Sequence, residues 1–382
     1  MKASLKLFLI LVVAFATASA YAESFKAPEL SGQIFTYFRY DLTSYEDDAD
    51  WQKGGSDFGL DRCYLTAKGA LTEKFYYRVT GDVARDTITS YYMDEGQLFS
   101  YTTQGKYSFF LKYGYLDVRE IINNHSIYAG MEKMPYAEFE QDIWGWRAIR
   151  RVAADERGFV NTADLGLGVG GQLWEGVIDH HLTITNGAGY RNPEVLTSGK
   201  DLDYRITGFP FLSDETWKGL SVSAMVRAGN LGEKVPEDTV KHPLMVYGGL
   251  LGYQGEYISA GAGYFMRGYG EDNEELGSEK VNSNLMTVHA TGHFRASEGM
   301  TIHPLLRYDS YDPDTANESE AANSHDKNTV IIAGVGLKFF GDTLALIPNY
   351  QKDSYESFNI AEDSWETKSN DSFFIHAAWD WQ

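Results

Sequence analysis

The chain alternates between apolar and polar positions with a period of two. Ile34, Thr36, Phe38 and Tyr40 interleave with Gln33, Phe35, Tyr37 and Arg39, and Cys63, Leu65 and Ala67 interleave with Arg62, Tyr64, Thr66 and Lys68. The pattern returns at Leu220, Val222, Ala224, Val226 and Ala228, and again at Met286, Val288, Ala290, Gly292 and Phe294. Successive side chains of a strand point to opposite faces. Segments of about ten residues with one apolar and one polar face therefore predict strands with lipid on one side and water on the other. Sixteen are expected, near 31–41, 58–71, 75–86, 107–119, 125–134, 164–173, 177–186 and 203–209, then 220–229, 244–253, 257–267, 284–295, 300–309, 329–340, 344–352 and 371–382. In the strand near 329–340, Ile331 and Ile332 are both apolar, which leaves its facing open.

The connections alternate as well. Short links such as Thr72-Glu73-Lys74 and Gly341-Asp342-Thr343 take turns with long acidic segments such as 41–57, 268–283, 309–328 and 352–370. Short turns at one end and long loops at the other predict an all-β, closed, antiparallel transmembrane β-barrel rather than a soluble sandwich. The last strand places Phe373, Ile375, Ala377, Trp379 and Trp381 on one face, which resembles the terminal signal by which outer-membrane barrels are recognised for assembly; here Gln382 follows the aromatic. No run of 18 apolar residues follows the N-terminal region, so no spanning helix is expected.

At the N-terminus, Lys2 and Lys6 precede an apolar run from Leu7 to Ala16, and Ala20-Tyr21-Ala22 supplies small residues for cleavage before Glu23. Residues 1–22 read as a secretory signal and 23–382 as the barrel. The whole chain carries 33 Lys+Arg against 54 Asp+Glu; loss of Lys2 and Lys6 leaves 31 bases and a mature charge of −23. That balance argues against nucleic acid as a partner. One cysteine, Cys63, excludes an internal disulfide framework, a Cys-based zinc site and covalent haem attachment.

Two features bear on function. Residues 133–164, the third long connection, contain Trp144-Gly145-Trp146-Arg147-Ala148-Ile149-Arg150-Arg151. The third long loop of a sixteen-strand barrel commonly folds inward and narrows the channel. If this stretch is helical, Arg147, Arg150 and Arg151 share one face as candidate constriction residues. Parity also puts Arg39, Arg62, Lys68, Arg78, Arg227, Arg267, Arg295, Arg307 and Lys338 opposite the lipid-facing set as candidate pore-lining residues, with Asp82 and Asp380 as the clear acids among them. A base facing lipid costs about 2–4 kcal/mol at the midplane, and rings of Arg and Lys favour anions in a water-filled pore.

The blocks Arg62-Cys63-Tyr64-Leu65, Tyr113-Gly114-Tyr115-Leu116-Asp117, Ile127 to Pro135 and Ala163-Asp164-Leu165-Gly166 resemble the phosphate-selective porin O and P group, over about the first half of the chain. The resemblance implies a trimeric, anion-preferring general or phosphate porin of the Gram-negative outer membrane; the long lysine-rich stretch of a dedicated phosphate ladder is missing. Elsewhere, His180-His181 and the His289/His293 pair do not suggest a metal site, since histidines four apart in a strand lie about 13 Å apart. Acidic clusters such as Glu46-Asp47-Asp48 and Asp312-Pro313-Asp314 lack the EF-hand pattern. No signature singles out catalytic residues, and no cofactor is expected. The expected function is passive diffusion of small anionic solutes, phosphate among them. The alternative is a barrel that sheathes a periplasmic or surface partner such as a multihaem cytochrome, which would need an open lumen.

Overall fold

A computed structural model of the chain describes residues 27–43, 55–94, 97–191, 200–230, 243–269, 281–315, 327–359 and 364–381. The expected signal segment, the Glu46-Asp47-Asp48 cluster and Gln382 lie outside the described residues. The strands are β1 (Glu29–Asp41), β2 (Ser56–Ala70), β3 (Phe75–Asp94), β4 (Gln97–Arg119), β5 (His125–Lys133), β6 (Ala163–Leu173), β7 (Ile178–Thr185) and β8 (Asp201–Gly208). They continue as β9 (Leu220–Asn230), β10 (Pro243–Gln254), β11 (Ile258–Tyr269) and β12 (Val281–Gly292), which resumes past His293 as Phe294–Ser297. The last four are β13 (Met300–Asp312), β14 (Asn328–Phe339), β15 (Leu344–Asn359) and β16 (Ser364–Trp381). Each pairs antiparallel with its neighbours in sequence, and β1 also pairs with β16, from Gly32 opposite Trp381 to Asp41 opposite Ser372. With β12 counted once, this is a closed sixteen-strand antiparallel barrel.

Closure follows from the alternation. Leu65, Val79, Leu111, Leu167, Ile184, Val222, Leu251, Leu306 and Trp379 stand exposed on the outer face. A soluble protein would not present such a continuous apolar band, whereas hydrocarbon favours it. Among the described residues no helix is long and apolar enough to cross a membrane; the strands are the crossing elements. The inner face is polar where water or loops meet it, as in the 2.9 Å hydrogen bond between Thr66 and Thr80 across β2 and β3.

Every expected strand is present. The main difference is length: β3 and β4 run on as a ribbon, with Thr87 opposite Gln104 through Asp94 opposite Gln97. In the sequence, Thr, Ser and Gln fall at both parities together with Tyr and Phe there, so no period of two marks the stretch. Residues 133–164 contribute two helices, α1 (Ala137–Trp144) and the single turn α2 (Ala153–Glu156).

The protein extracted in mild detergent is expected to give a β-type circular-dichroism spectrum and to migrate differently before and after boiling. Solubility of the folded chain without detergent, or a helical spectrum, would contradict the barrel.

Candidate functional site

The segment between β5 and β6 is built around Trp144-Gly145-Trp146. Gly145 closes α1 in the left-handed conformation at φ 74°, and its amide donates to the Gln141 carbonyl at 2.8 Å. A residue with a Cβ is strained at such a φ, so the helix stops here and Trp146 leaves it in a new direction. This corrects the expectation of a helix through Arg147–Arg151. The helix precedes that stretch, and Arg147 sits on a turn while Arg150 and Arg151 lie on irregular backbone, not on one helical face.

Both tryptophans are buried against the inner face of the wall. The Trp144 ring lies edge-on to His289 at 5.4 Å, and its Nε1 donates to the Arg150 carbonyl at 3.2 Å. Trp146 Nε1 donates to Thr291 Oγ1 at 3.0 Å. Its ring fills the space over Gly336, where a Cβ would come within 2.1 Å of it. Around them the segment makes two dry contacts. Tyr136, Ile143, Phe159 and Val160 meet Leu244, Val246, Leu250, Phe265 and Leu285 of β10–β12. Trp144, Trp146, Ile149 and Val152 meet Leu305, Val330, Ile332 and Ile347 of β13–β15. The open facing of β14 is thereby resolved: Ile331 is outside at 37% exposure, while Ile332 is fully buried beneath the segment.

Charges reinforce the seat. Arg150 donates to both Glu156 oxygens and to Asp353 of β15 at 3.0 Å. Burial would raise the Glu156 carboxyl, but Arg150, with Arg307 and Arg157, outweighs it and holds the carboxyl at about 2. A depressed folded pKa means that this tether is intact above the ordinary carboxylate range and is lost only as pH falls through about 2. Glu140 behaves oppositely. It is fully buried on α1, with its Oε1 3.9 Å from His289 Nε2, and burial, only partly offset by Arg307, raises it to about 7. Asp142 is likewise raised by burial, to about 6. For Glu138, Lys133 and Arg78 overcome the burial cost and lower the carboxyl.

The predicted wall bases have different surroundings. Arg62 is buried on Asp82 at 2.8 Å, and Tyr190 contacts both. Arg227 is buried on Asp201 at 2.7 Å with Asp203 at 3.9 Å, and Arg307 forks onto Asp309. Arg267 reaches the Arg157 carbonyl, Ser283 and Tyr311. Arg78 stacks on Tyr113 and meets Glu138 at 3.5 Å. Nearer the rims, Arg39 pairs with Asp57, Lys68 with Glu29 and Lys338 with Asp342, while Arg295 is exposed and donates to the Ser297 carbonyl. The expectation that Asp82 and Asp380 are the inward acids is corrected: Asp117, Glu132, Asp164, Asp201, Asp203 and Asp309 are buried too. They lie at strand ends, or in the short β8, where the alternation was too brief to assign a face. Arg205 was missed for the same reason; it is buried, donating to the Pro135 carbonyl at 2.6 Å and pairing with Asp179.

Space remains beside the second dry contact, toward β1–β4, where Tyr64, Trp146, Val152 and Ile347 line it as well. Three cavities follow one another and share lining residues. One of about 260 Å³ is lined by Arg62, Lys112, Arg147, Arg151, Arg191 and Tyr190, with Asp155 as its acid. The next, about 450 Å³, adds Arg78, Tyr64, Tyr113, Trp146 and Lys338 together with Glu138, Asp142, Asp342 and Asp380. The last, about 740 Å³, opens among Lys68, Arg78, Arg119, Asp117 and Trp381. The first is the basic one. Arg147 and Arg151 hold their carboxylates loosely, Asp61 and Asp155 both at 3.5 Å. Lys112 is held by rings, with its Nζ 3.2 Å from Tyr64 Oη and 4.5 Å from that ring's centre. Thus Arg147 and Arg151 come together at this cavity and Arg150 does not. Lys112 and Arg191 were missed by the sequence reading. Lys112 sits among aromatics that hid its parity, while Arg191 lies on a loop that strand periodicity cannot reach.

No protein-family model matches the sequence, and no curated protein matches it. Solved structures share the fold. The anion-selective porin from Comamonas acidovorans is 11% identical, with a TM-score of 0.58 over 93% of this chain and 99% of that one. OmpF of Salmonella typhi, in complex with daunomycin, is 10% identical, with a TM-score of 0.56 over 93% and 97%. The trimer form of OmpT, an outer membrane protein of Vibrio cholerae, is 12% identical, with a TM-score of 0.53 over 93% and 99%. At these identities the likeness is one of fold: a porin-like outer-membrane barrel.

Gly336→Val should expel the Trp146 ring and unseat the segment without opening the barrel. Trypsin cleavage at Arg147 and Arg150 in folded protein should then be at least about tenfold faster than in the wild type, the factor expected for losing roughly 1.4 kcal/mol of local protection. A second outcome follows from Glu140. Because its folded pKa is raised, the folded state favours the protonated carboxyl, and ionisation above the ordinary carboxylate range weakens the seat progressively up to about pH 7. Hydrogen-exchange protection of α1, corrected for intrinsic rate, should rise as pH falls from 8 to 5, and Glu140→Gln should flatten that dependence.

Proposed function

We propose that this protein is a Gram-negative outer-membrane porin through which small, preferentially anionic solutes diffuse, and that the segment between β5 and β6 narrows its lumen. The observation that carries the reading is the 260 Å³ cavity where Arg62, Lys112, Arg147, Arg151 and Arg191 face a lone lining carboxylate, Asp155. Fields from loop acids are damped beyond about 8 Å at physiological salt, so bases at the narrowest stretch outweigh a net acidic chain. Arg62, Arg227 and Arg307 are neutralised by buried partners and contribute little of this field. On this reading Arg150 is a tether, and selectivity rests on Lys112, Arg147 and Arg151.

The chain's resemblance to the phosphate-selective group adds phosphate to the candidate solutes, and several of its blocks supply this passage, with Arg62, Tyr64 and Tyr113 among them. The trimer form of the Vibrio cholerae neighbour makes a homotrimer the assembly to expect. A sheath for a haem protein would need an unobstructed bore, and the dry packing of α1 on β10–β12 favours the channel instead. Diffusion asks for no catalytic residues, and none is proposed.

In planar bilayers under a KCl gradient, the wild-type zero-current potential should have the sign of anion preference. Lys112→Gln/Arg147→Gln/Arg151→Gln should lower the anion-to-cation permeability ratio about threefold to tenfold, the effect of losing roughly 1 kcal/mol of charge attraction. Arg150→Gln should instead disturb the seat, seen as noisier and larger openings. A cation-selective wild type would reject the reading. An unchanged triple variant would move selectivity elsewhere on the wall.

A further inference from the structure

Two histidines that the channel reading does not use come together at the short-turn end of the barrel. His125 opens β5 and His180 lies on β7, two strands away, yet their Nε2 atoms are 3.0 Å apart. The strand between them makes this possible. Gly171 of β6 is the register partner of both His125 and His180. A Cβ at Gly171 would lie 2.6 Å from the His125 ring and 2.5 Å from the Asn124 carbonyl. The row is thus a histidine, a gap and a histidine on the face that also carries Leu182 and Ile184, at the barrel margin.

The His125 tautomer is fixed by its second contact. Its Nδ1 lies 2.7 Å from the Asn123 carbonyl oxygen, which can only accept, so Nδ1 carries the proton. In the neutral ring Nε2 then keeps its lone pair, 3.0 Å from His180 Nε2. The turn presenting that carbonyl is firmly set: Glu120 and Asn124 have φ of 57° and 58°, and the amide of His125 donates to the Ile122 carbonyl at 2.9 Å. A ring nitrogen tied to a backbone carbonyl while the other keeps a lone pair is the arrangement of a metal-ligating histidine.

We propose that His125 and His180 form a two-nitrogen chelate for a first-row d-block dication, with Cu²⁺ the best match, water filling its remaining positions. Metal–nitrogen bonds of about 2.05 Å, applied to a 3.0 Å nitrogen spacing, subtend about 95°. That suits two cis positions of tetragonal Cu²⁺, and the tetrahedral angle of Zn²⁺ needs an opening of about 0.3 Å. Imidazole donors disfavour Ca²⁺ and Mg²⁺, which take oxygen. The chelate clips β5 to β7 across β6. It is independent of the channel reading.

The test uses the folded full chain in detergent with Cu²⁺ as probe. Electron paramagnetic resonance should give one bound ion per chain with coupling to two nitrogens. The bound ion should also raise the temperature at which the heat-modifiable form is lost. His125→Ala and His180→Ala should each abolish the two-nitrogen pattern and that shift. Gly171→Ala, which keeps both ligands but displaces one, should weaken binding at least about tenfold. All variants should keep the unheated migration of a folded barrel. A wild-type spectrum of aqueous Cu²⁺ alone would overturn the proposal, leaving a plain histidine–histidine hydrogen bond. A pattern that survives His125→Ala and His180→Ala but disappears in His293→Ala would overturn it equally, since the His293 and His303 Nδ1 atoms also lie 3.0 Å apart.

Discussion

Hydrocarbon offers no partner for a backbone N–H or C=O, so this structure depends on β1 finding β16. The seam from Gly32–Trp381 to Asp41–Ser372 removes the last free sheet edge. Once the sheet is closed, one face of each strand meets lipid and the other is enclosed. The apolar alternates go outward without further instruction. The enclosed face then needs either water or a cover.

Both solutions occur in the same barrel. On β10–β15 the enclosed face carries Leu244, Val246, Leu250, Phe265, Ile332 and Ile347, which water alone would not favour. The segment after β5 covers them with two tryptophans, a phenylalanine and a tyrosine, at roughly 25 cal/mol per Å² of apolar surface removed from water. On β1–β4 the enclosed face carries Thr66, Arg78, Thr80 and Lys112 beside Phe35 and Tyr64, and the cavities lie there. The asymmetry rests on Gly145 ending a helix and on Gly336 making room for a ring.

Electrostatics follow the same division. Bases shut away from the cavities meet carboxylates, because an unpartnered charge there would cost several kcal/mol: Arg227 with Asp201, Arg307 with Asp309, Arg150 with Glu156 and Asp353. In the cavities the pairing is looser. Arg147, Arg151 and Lys112 then hold carboxylates at 3.5 Å or aromatic rings in their place. A count of arginines along the wall therefore overstates the field, and their partners decide where it survives.

The sequence alone determined the barrel and its sixteen strands. Both rest on local rules: a period of two and turn length. It also left open the facing of the strand near 329–340, where Ile331 and Ile332 are both apolar. Phe35, Met225 and Ile332 are apolar at inward parity because a distant segment packs on them. Only the tertiary structure decided which bases are neutralised, since Arg62 meets Asp82 and Arg150 meets Asp353 through contacts between elements. It alone brought Lys112 to Arg147 and His125 to His180. Such pairings depend on register, closure and the direction a chain takes after a glycine, and no spacing along the sequence encodes them.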